Sequence, residues 1–252
     1  MNDRVISALC DLESEFDVRV LLAVESGSRA WGFASPDSDY DVRFVYAHRR
    51  DWYLTVDEPR DVIEKMLPGD LDVSGWELRK TLRLFAKCNL ALNEWIGSPI
   101  VYTGEPRFHD AIAALLPSYF NPIAGMHHYR RMAQAALEEN LVADRIAIKK
   151  LFYILRPLLA CRWIVRTNSQ PPTEFAQLVA TEWVTAAEKC WIGDLLRQKA
   201  DAKEAQVVSL SQEKVAVLRA EIAIHAASGA GLTATGKPGS APLDILLREW
   251  VR

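Results

Sequence analysis

Two glycines, a serine and a cluster of aspartates within one short stretch have the types and spacing to do chemistry. Gly27 and Gly32 flank a turn that follows the apolar run Val18 to Val24, and Ser28 and Arg29 lie between them. Glycines at such a turn admit positive φ and let backbone N–H groups come close to a bound group. Ser28 adds a hydroxyl, and a helix starting near Arg29 would aim its positive end at the same place. Together these residues have the make-up of a phosphate cradle. The chain continues Pro36-Asp-Ser-Asp-Tyr-Asp-Val-Arg-Phe-Val-Tyr46. On a strand, Asp39, Asp41 and Arg43 share one face, while Tyr40, Val42 and Phe44 share the other. Adjacent carboxylates on one face repel each other unless positive charge sits between them. A divalent ion held by oxygen ligands together with substrate phosphates answers that need, which is the pattern of Mg²⁺. Arg43 could pair with the carboxylates or with a phosphate. A nucleoside triphosphate with magnesium suits the cradle and the carboxylates alike.

The order Gly27-Ser28, Gly32, Asp39-x-Asp41 resembles the signature of the DNA polymerase beta-like nucleotidyltransferase superfamily. The longer string from Glu25 to Arg43 resembles one branch of it, the stand-alone bacterial and phage nucleotidyltransferases described as an RNA repair pathway, polymerase beta-like family. The likeness continues through Leu71–Lys80, Ser98–Tyr102 and Leu155–Trp163, so it covers roughly the first two thirds of the chain. The resemblance implies transfer of a nucleoside monophosphate from an NTP to a hydroxyl, with release of pyrophosphate. It also implies two Mg²⁺ ions, or Mn²⁺ in their place, on Asp39, Asp41 and a third carboxylate from a following strand. Asp72 occupies the matching position, and Asp70 is the alternative, since a slip of two residues keeps the same face. An RNA 3′ end is one implied acceptor. The hydroxyl of a protein or a small molecule stays open, as does a catalytically silent nucleotide-binding regulator.

The elements that must position these residues follow from periodicity. Val5, Leu9, Leu12 and Phe16 recur at helical spacing, so a first amphipathic helix packs on the sheet. Arg19 to Val24 reads as a strand buried on both faces, and Tyr40 to Tyr46 as the next. Arg60 to Met66 reads as a strand, Leu67-Pro-Gly-Asp70 as a turn, and Leu71 to Ser74 as a short strand carrying Asp72. One helix is expected from Trp76 to about Trp95, with Lys80 and Arg79 leaning over the triphosphate. Ile100 to Tyr102 reads as an edge strand, and Gly104 to Arg107 as the end of the first domain.

The rest reads as helical. A short helix from Asp110 to Leu116 stops at Pro117, and another begins near Ile123. A third, from Asp144 to about Arg166, places Arg145, Lys149, Tyr153 and Arg156 on one stripe opposite Ile148, Leu151 and Leu155. Tyr153 among cations suits nucleobase stacking, and Lys149, Lys150 and Arg156 are candidate contacts to triphosphate or acceptor. Arg162 falls toward the apolar side, where it needs a carboxylate or phosphate partner. Adjacent His127 and His128 do not share a helix face as metal ligands would. Gly231 to Lys237 resembles a phosphate-binding loop, but Pro238 replaces the hydroxyl residue and no strand precedes it, so it reads as a surface loop.

The fold class expected is therefore α/β (α+β), a polymerase beta-like core with a small mixed sheet over residues 1–105. A helical, substrate-binding domain over residues 106–252 would follow. A net charge of −3 gives no global attraction to nucleic acid, so RNA binding would need a local basic patch. No apolar run approaches the ~20 residues that span a bilayer, and no apolar stretch follows Met-Asn-Asp-Arg as in a secretory signal. Cys10, Cys88, Cys161 and Cys190 are scattered, which suits thiols of a reducing cytoplasm. Oligomeric state and preferred base are left open.

Overall fold

A computed structural model describes residues 1–36, 38–201, 206–233, 236 and 238–251. The chain divides into two compact units. One comprises Met1–Ala30, Asp39–Tyr119 and Gly236–Arg252, and the other Trp31–Ser38 and Phe120–Thr235. The bounds of these units differ from the cut expected near residue 105 and fall within the glycine and aspartate stretch.

In the first unit α1 (Asn2–Phe16) leads into β1 (Val18–Glu25), the single-turn α2 (Gly27–Ala30) and β2 (Tyr40–His48). A 3-10 turn at Arg50–Leu54 precedes the hairpin β3 (Val62–Leu67) and β4 (Leu71–Glu77). Then come α3 (Leu78–Ala86), α4 (Leu90–Ile96), β5 (Val101–Gly104) and α5 (Pro106–Tyr119). The sheet runs β3-β4-β2-β1-β5, with β2 and β4 parallel and every other neighbour antiparallel. It is thus a five-stranded mixed sheet in an α/β fold, with β5 at an edge as its sequence suggests.

Alternation along the strands divides two apolar layers. Val42, Phe44 and Tyr46 of β2, with Leu71 and Val73 of β4, pack against Val5, Leu9 and Leu12 of α1. Val45 and Ala47 face the opposite layer, built from α3, α4 and α5. Asp41 and Arg43 continue the Val45–Ala47 row, so the pleat directs them to that second face. A bulge between Val20 and Leu22 lets Leu21 and Leu22 join one layer together, while Ala23 returns to the other.

The single helix expected from Trp76 to Trp95 is broken. Trp76 still belongs to β4; Cys88 adopts φ 55, and the Asn89 side chain caps a new helix by accepting from Leu92 N. The helix expected over Asp110–Leu116 extends from Pro106 through Pro117 to Tyr119.

The second unit contains α6 (Pro122–Asn140), β6 (Arg145–Ala147), α7 (Ile148–Thr167), α8 (Phe175–Ala180), α9 (Ala186–Asp201), β7 (Val207–Ser209) and α10 (Gln212–Ser228). Strands β6 and β7 pair as a two-stranded antiparallel ribbon inside a region expected to be wholly helical. Three residues per strand are too few for alternation to be visible. Arg145 consequently lies on β6 and not on the α7 stripe.

Trp31 and Phe33, from the glycine turn, sit in this unit's core. Phe33 stacks on Phe152 at 4.9 Å, and Trp31 meets Tyr153 edge-on at 5.3 Å. The final helix, α11 (Ala241–Trp250), belongs to the first unit, where Leu243, Leu246 and Trp250 pack with Phe108 and Ile112. Of the Gly231–Lys237 loop, Ala234, Thr235 and Lys237 lie outside the described residues, as does Asp37. Among the described residues no helix is long and apolar enough to cross a membrane, and none of the four cysteines is in a disulfide.

Candidate active site

The site lies at one end of the sheet, where β1, β2 and β4 meet α2. Gly27 opens α2 at φ 61, and a Cβ there would come within 2.4 Å of Asp41 Oδ2. Glycine is thus needed twice over, for its backbone angle and for the carboxylate behind it. Being only one turn long, α2 carries little helix dipole, so the expected dipole contribution is small. Ser28 on this turn is buried. Gly32 also has positive φ, at 85, but open space surrounds its missing Cβ. It falls in the second unit's Trp31–Ser38 segment.

Asp41 is held through its backbone. Its N–H donates to Glu25 Oε1 at 2.8 Å, and its carbonyl accepts from Ser26 N at 2.8 Å. Glu25 is fully buried and also accepts a hydrogen bond from the Tyr102 hydroxyl. Ser98 donates to the Glu25 carbonyl at 2.7 Å. Burial pushes the Glu25 carboxyl above its ordinary value, and the hydrogen bonds from Tyr102 and the Asp41 N–H only partly oppose the shift. Desolvation likewise pushes the Tyr102 hydroxyl up, reinforced by Glu25. The site expectations overlooked Glu25, although a lone acid at the end of an apolar, doubly buried strand is a visible signal. Ser98 and Tyr102 belong to a segment whose likeness to the family pattern suggested no role.

Asp72 stands directly opposite Asp41 in the β2–β4 parallel register. The alternative, Asp70, sits in the preceding turn at φ 55 and uses its carbonyl to accept from Tyr40 N. Arg43 joins the two carboxylates. Its Nη2 donates to Asp41 Oδ1 at 3.1 Å and to Asp72 Oδ2 at 2.8 Å. Its Nη1 donates to the Val42 and Asp72 carbonyls at 3.1 and 3.2 Å. Of the two partners left open for Arg43, the carboxylates are the ones it meets here.

Asp39 precedes β2 and is exposed; its carboxylate makes no hydrogen bond or ion pair among the described residues. Its carbonyl accepts from Arg29 Nε at 3.0 Å, and the Arg29 guanidinium lies 3.7 Å over the Tyr40 ring. Carboxylate oxygens are the donors that Mg²⁺ and Mn²⁺ take beside phosphates, so the chemistry of Asp39, Asp41 and Asp72 suits such an ion. Among the described residues, however, no group of three His, Cys, Asp or Glu side chains is gathered for a metal. The arrangement is two carboxylates sharing one cation, with a third acid exposed nearby in sequence.

The remaining candidates lie elsewhere. Lys80 Nζ pairs with Asp61 at 2.9 Å, and Arg79 donates to the Tyr53 carbonyl. Lys150 is exposed, with its Nζ 5.8 Å from the Tyr153 ring centroid. Lys149, one residue earlier on α7, is partly buried. Arg156, a candidate contact to triphosphate or acceptor, is 1% exposed, donates to the Thr173 carbonyl and lies over Trp31. It serves the second unit's core. Arg162 has the carboxylate partners its position demands, Glu188 at 2.7 Å and Glu221 at 2.5 Å.

Comparison with known proteins agrees with the sequence signature. The sequence model of the RNA repair pathway DNA polymerase beta family (RlaP) matches residues 1–249. The chain is also 44% identical over 205 residues to the uncharacterized protein YcgL of Bacillus subtilis (strain 168), covering 81% of this chain and 78% of that one.

Proposed function

Since the chain belongs to the RNA repair pathway DNA polymerase beta family, we propose that it is a metal-dependent nucleotidyltransferase that moves a nucleoside monophosphate from an NTP to an RNA 3′ hydroxyl. The observation that carries this reading is the in-register pair Asp41 and Asp72 beside the Gly27 turn. Asp39, Asp41 and Asp72 would hold Mg²⁺, with Mn²⁺ as a substitute, and the bound ion supplies charge neutralisation at the phosphates.

The acceptor oxygen attacks the α-phosphorus, the bond from that phosphorus to the β-phosphate oxygen breaks, and pyrophosphate leaves. Asp72 orients the acceptor hydroxyl and takes its proton. Backbone N–H groups of the Gly27 turn and the Ser28 hydroxyl bind the departing β- and γ-phosphates. Glu25 positions Asp41 through the backbone hydrogen bond they share. Lys80 and Arg156 are engaged by Asp61 and Thr173 and receive no role in phosphate contact.

The test is incubation with each α-³²P-labelled NTP and Mg²⁺, with and without RNA, for the wild type and Asp41→Asn/Asp72→Asn. Label entering RNA only with the wild type supports the proposal. Label on protein or on a small molecule reassigns the acceptor. Failure to label any acceptor, with Mg²⁺ or Mn²⁺ present, overturns it.

A further inference from the structure

Arg43 has a further role that rests on the nucleotidyltransferase reading and extends it. We infer that Arg43 is a resident counter-cation that competes with the divalent ion for Asp41 and Asp72, so that the free protein takes up metal weakly and the nucleotide's phosphates are needed to draw the guanidinium away.

One nitrogen of Arg43 contacts both carboxylates, at 3.1 and 2.8 Å, and the other contacts two main-chain carbonyls at 3.1 and 3.2 Å. The side chain is only 19% exposed, and each aspartate about one third. A guanidinium cannot lose its proton at any accessible pH, so its charge leaves the carboxylates only if the side chain moves. A divalent ion binding the same oxygens would meet that fixed positive charge at close range. Arg43 therefore suppresses binding of the ion by itself while relieving repulsion between the two acids. A triphosphate changes the balance, because its oxygens offer the guanidinium another bidentate partner. Metal and nucleotide then favour each other's binding, and by linkage the effect is reciprocal. Arginine suits this task better than lysine, since its planar fork reaches two carboxylates and two carbonyls at once.

Mn²⁺ binding to the full chain, followed by the loss of its free-ion electron paramagnetic resonance signal, tests the inference. The proteins are wild type, Arg43→Ala, Arg43→Gln and Arg43→Lys, with and without an NTP analogue carrying a methylene between the α- and β-phosphates. Circular dichroism establishes which variants fold, and Arg43→Gln keeps hydrogen-bonding capacity if Arg43→Ala does not fold. The expected result is at least tenfold tighter Mn²⁺ binding without nucleotide in the neutral variants, with the nucleotide's enhancement reduced. Arg43→Lys, which keeps the charge but not the fork, should fall between wild type and the neutral variants. If the folded neutral variants bind Mn²⁺ equally or more weakly, Arg43 is only a brace between strands and the inference falls while the metal reading stands. If no protein binds Mn²⁺, even with the analogue, both fall.

Discussion

Asp41 and Asp72 stand side by side at one register of two parallel strands, and a single guanidinium nitrogen of Arg43 serves both. Asparagine at either position would keep the shape and a hydrogen bond to Arg43 while removing charge. Asp41→Asn or Asp72→Asn should lower nucleotidyl transfer by about a hundredfold or more, since one lost transition-state contact of roughly 3 kcal/mol has that effect. Initial rates with labelled NTP, alongside urea unfolding, check this. Activity within threefold of wild type would remove the replaced residue from the mechanism.

Gly27→Ala should damage the site more than the fold. The added Cβ would meet Asp41 Oδ2 at 2.4 Å and would hold alanine at φ 61. The left-handed backbone costs about 1–2 kcal/mol. The Asp41 carboxylate must also turn away. A modestly lowered unfolding midpoint with transfer reduced at least tenfold is the expected pairing, measured on the same preparation.

Glu25 creates a pH dependence of definite sign. Its carboxyl is raised above 4.5 by burial, so the folded state holds the proton more tightly than the unfolded one. Stability from this group is therefore lost as pH rises above 4.5 through the folded value. Glu25→Gln removes that slope. Its unfolding free energy relative to wild type should climb over this interval and then level off. A flat difference between pH 4 and 8 would show that burial does not govern Glu25.

Arg162 predicts the opposite slope in the second unit. Burial alone would raise Glu221 and Glu188, but hydrogen bonds and opposite charge outweigh it. His225 and Arg162 act on Glu221, and Arg162 and Thr185 on Glu188, holding both carboxyls below 4.5. Their contribution is fully present above pH 4.5 and lost as pH falls through the lowered values. Arg162→Met leaves two acids without their cation and should cost roughly 3 kcal/mol at pH 7, as for a broken buried pair. It should also flatten the acid limb below pH 4.5. Urea titrations at pH 3.5, 4.5 and 7 would separate these outcomes.

Local patterns in the sequence carried much of this protein. The turn after an apolar strand, the Asp-x-Asp opening of β2 and the β3–β4 hairpin depend on neighbours within a few residues. Those residues impose their backbone preferences wherever the strand ends up. The demand for an acidic partner at Arg162 was equally legible, because an unpaired charge on an apolar helix face is costly. Tertiary structure decided what depends on distant pairing. Asp72 faces Asp41 only because β4 aligns with β2 in one parallel register, and a shift of two residues would have presented another residue. Arg156 is internal because Trp31 and Thr173 close over a helix whose periodicity could not say which side would be covered. Trp31 and Phe33 leave the glycine turn for the core of the second unit. Strands β6 and β7 come from segments about 60 residues apart and were too short to announce themselves. The sequence by itself determined which residues carry charge and where the backbone turns, because those are local properties of the chain. Only tertiary structure decided which charges meet, because that follows from strand register and from which helix faces become buried.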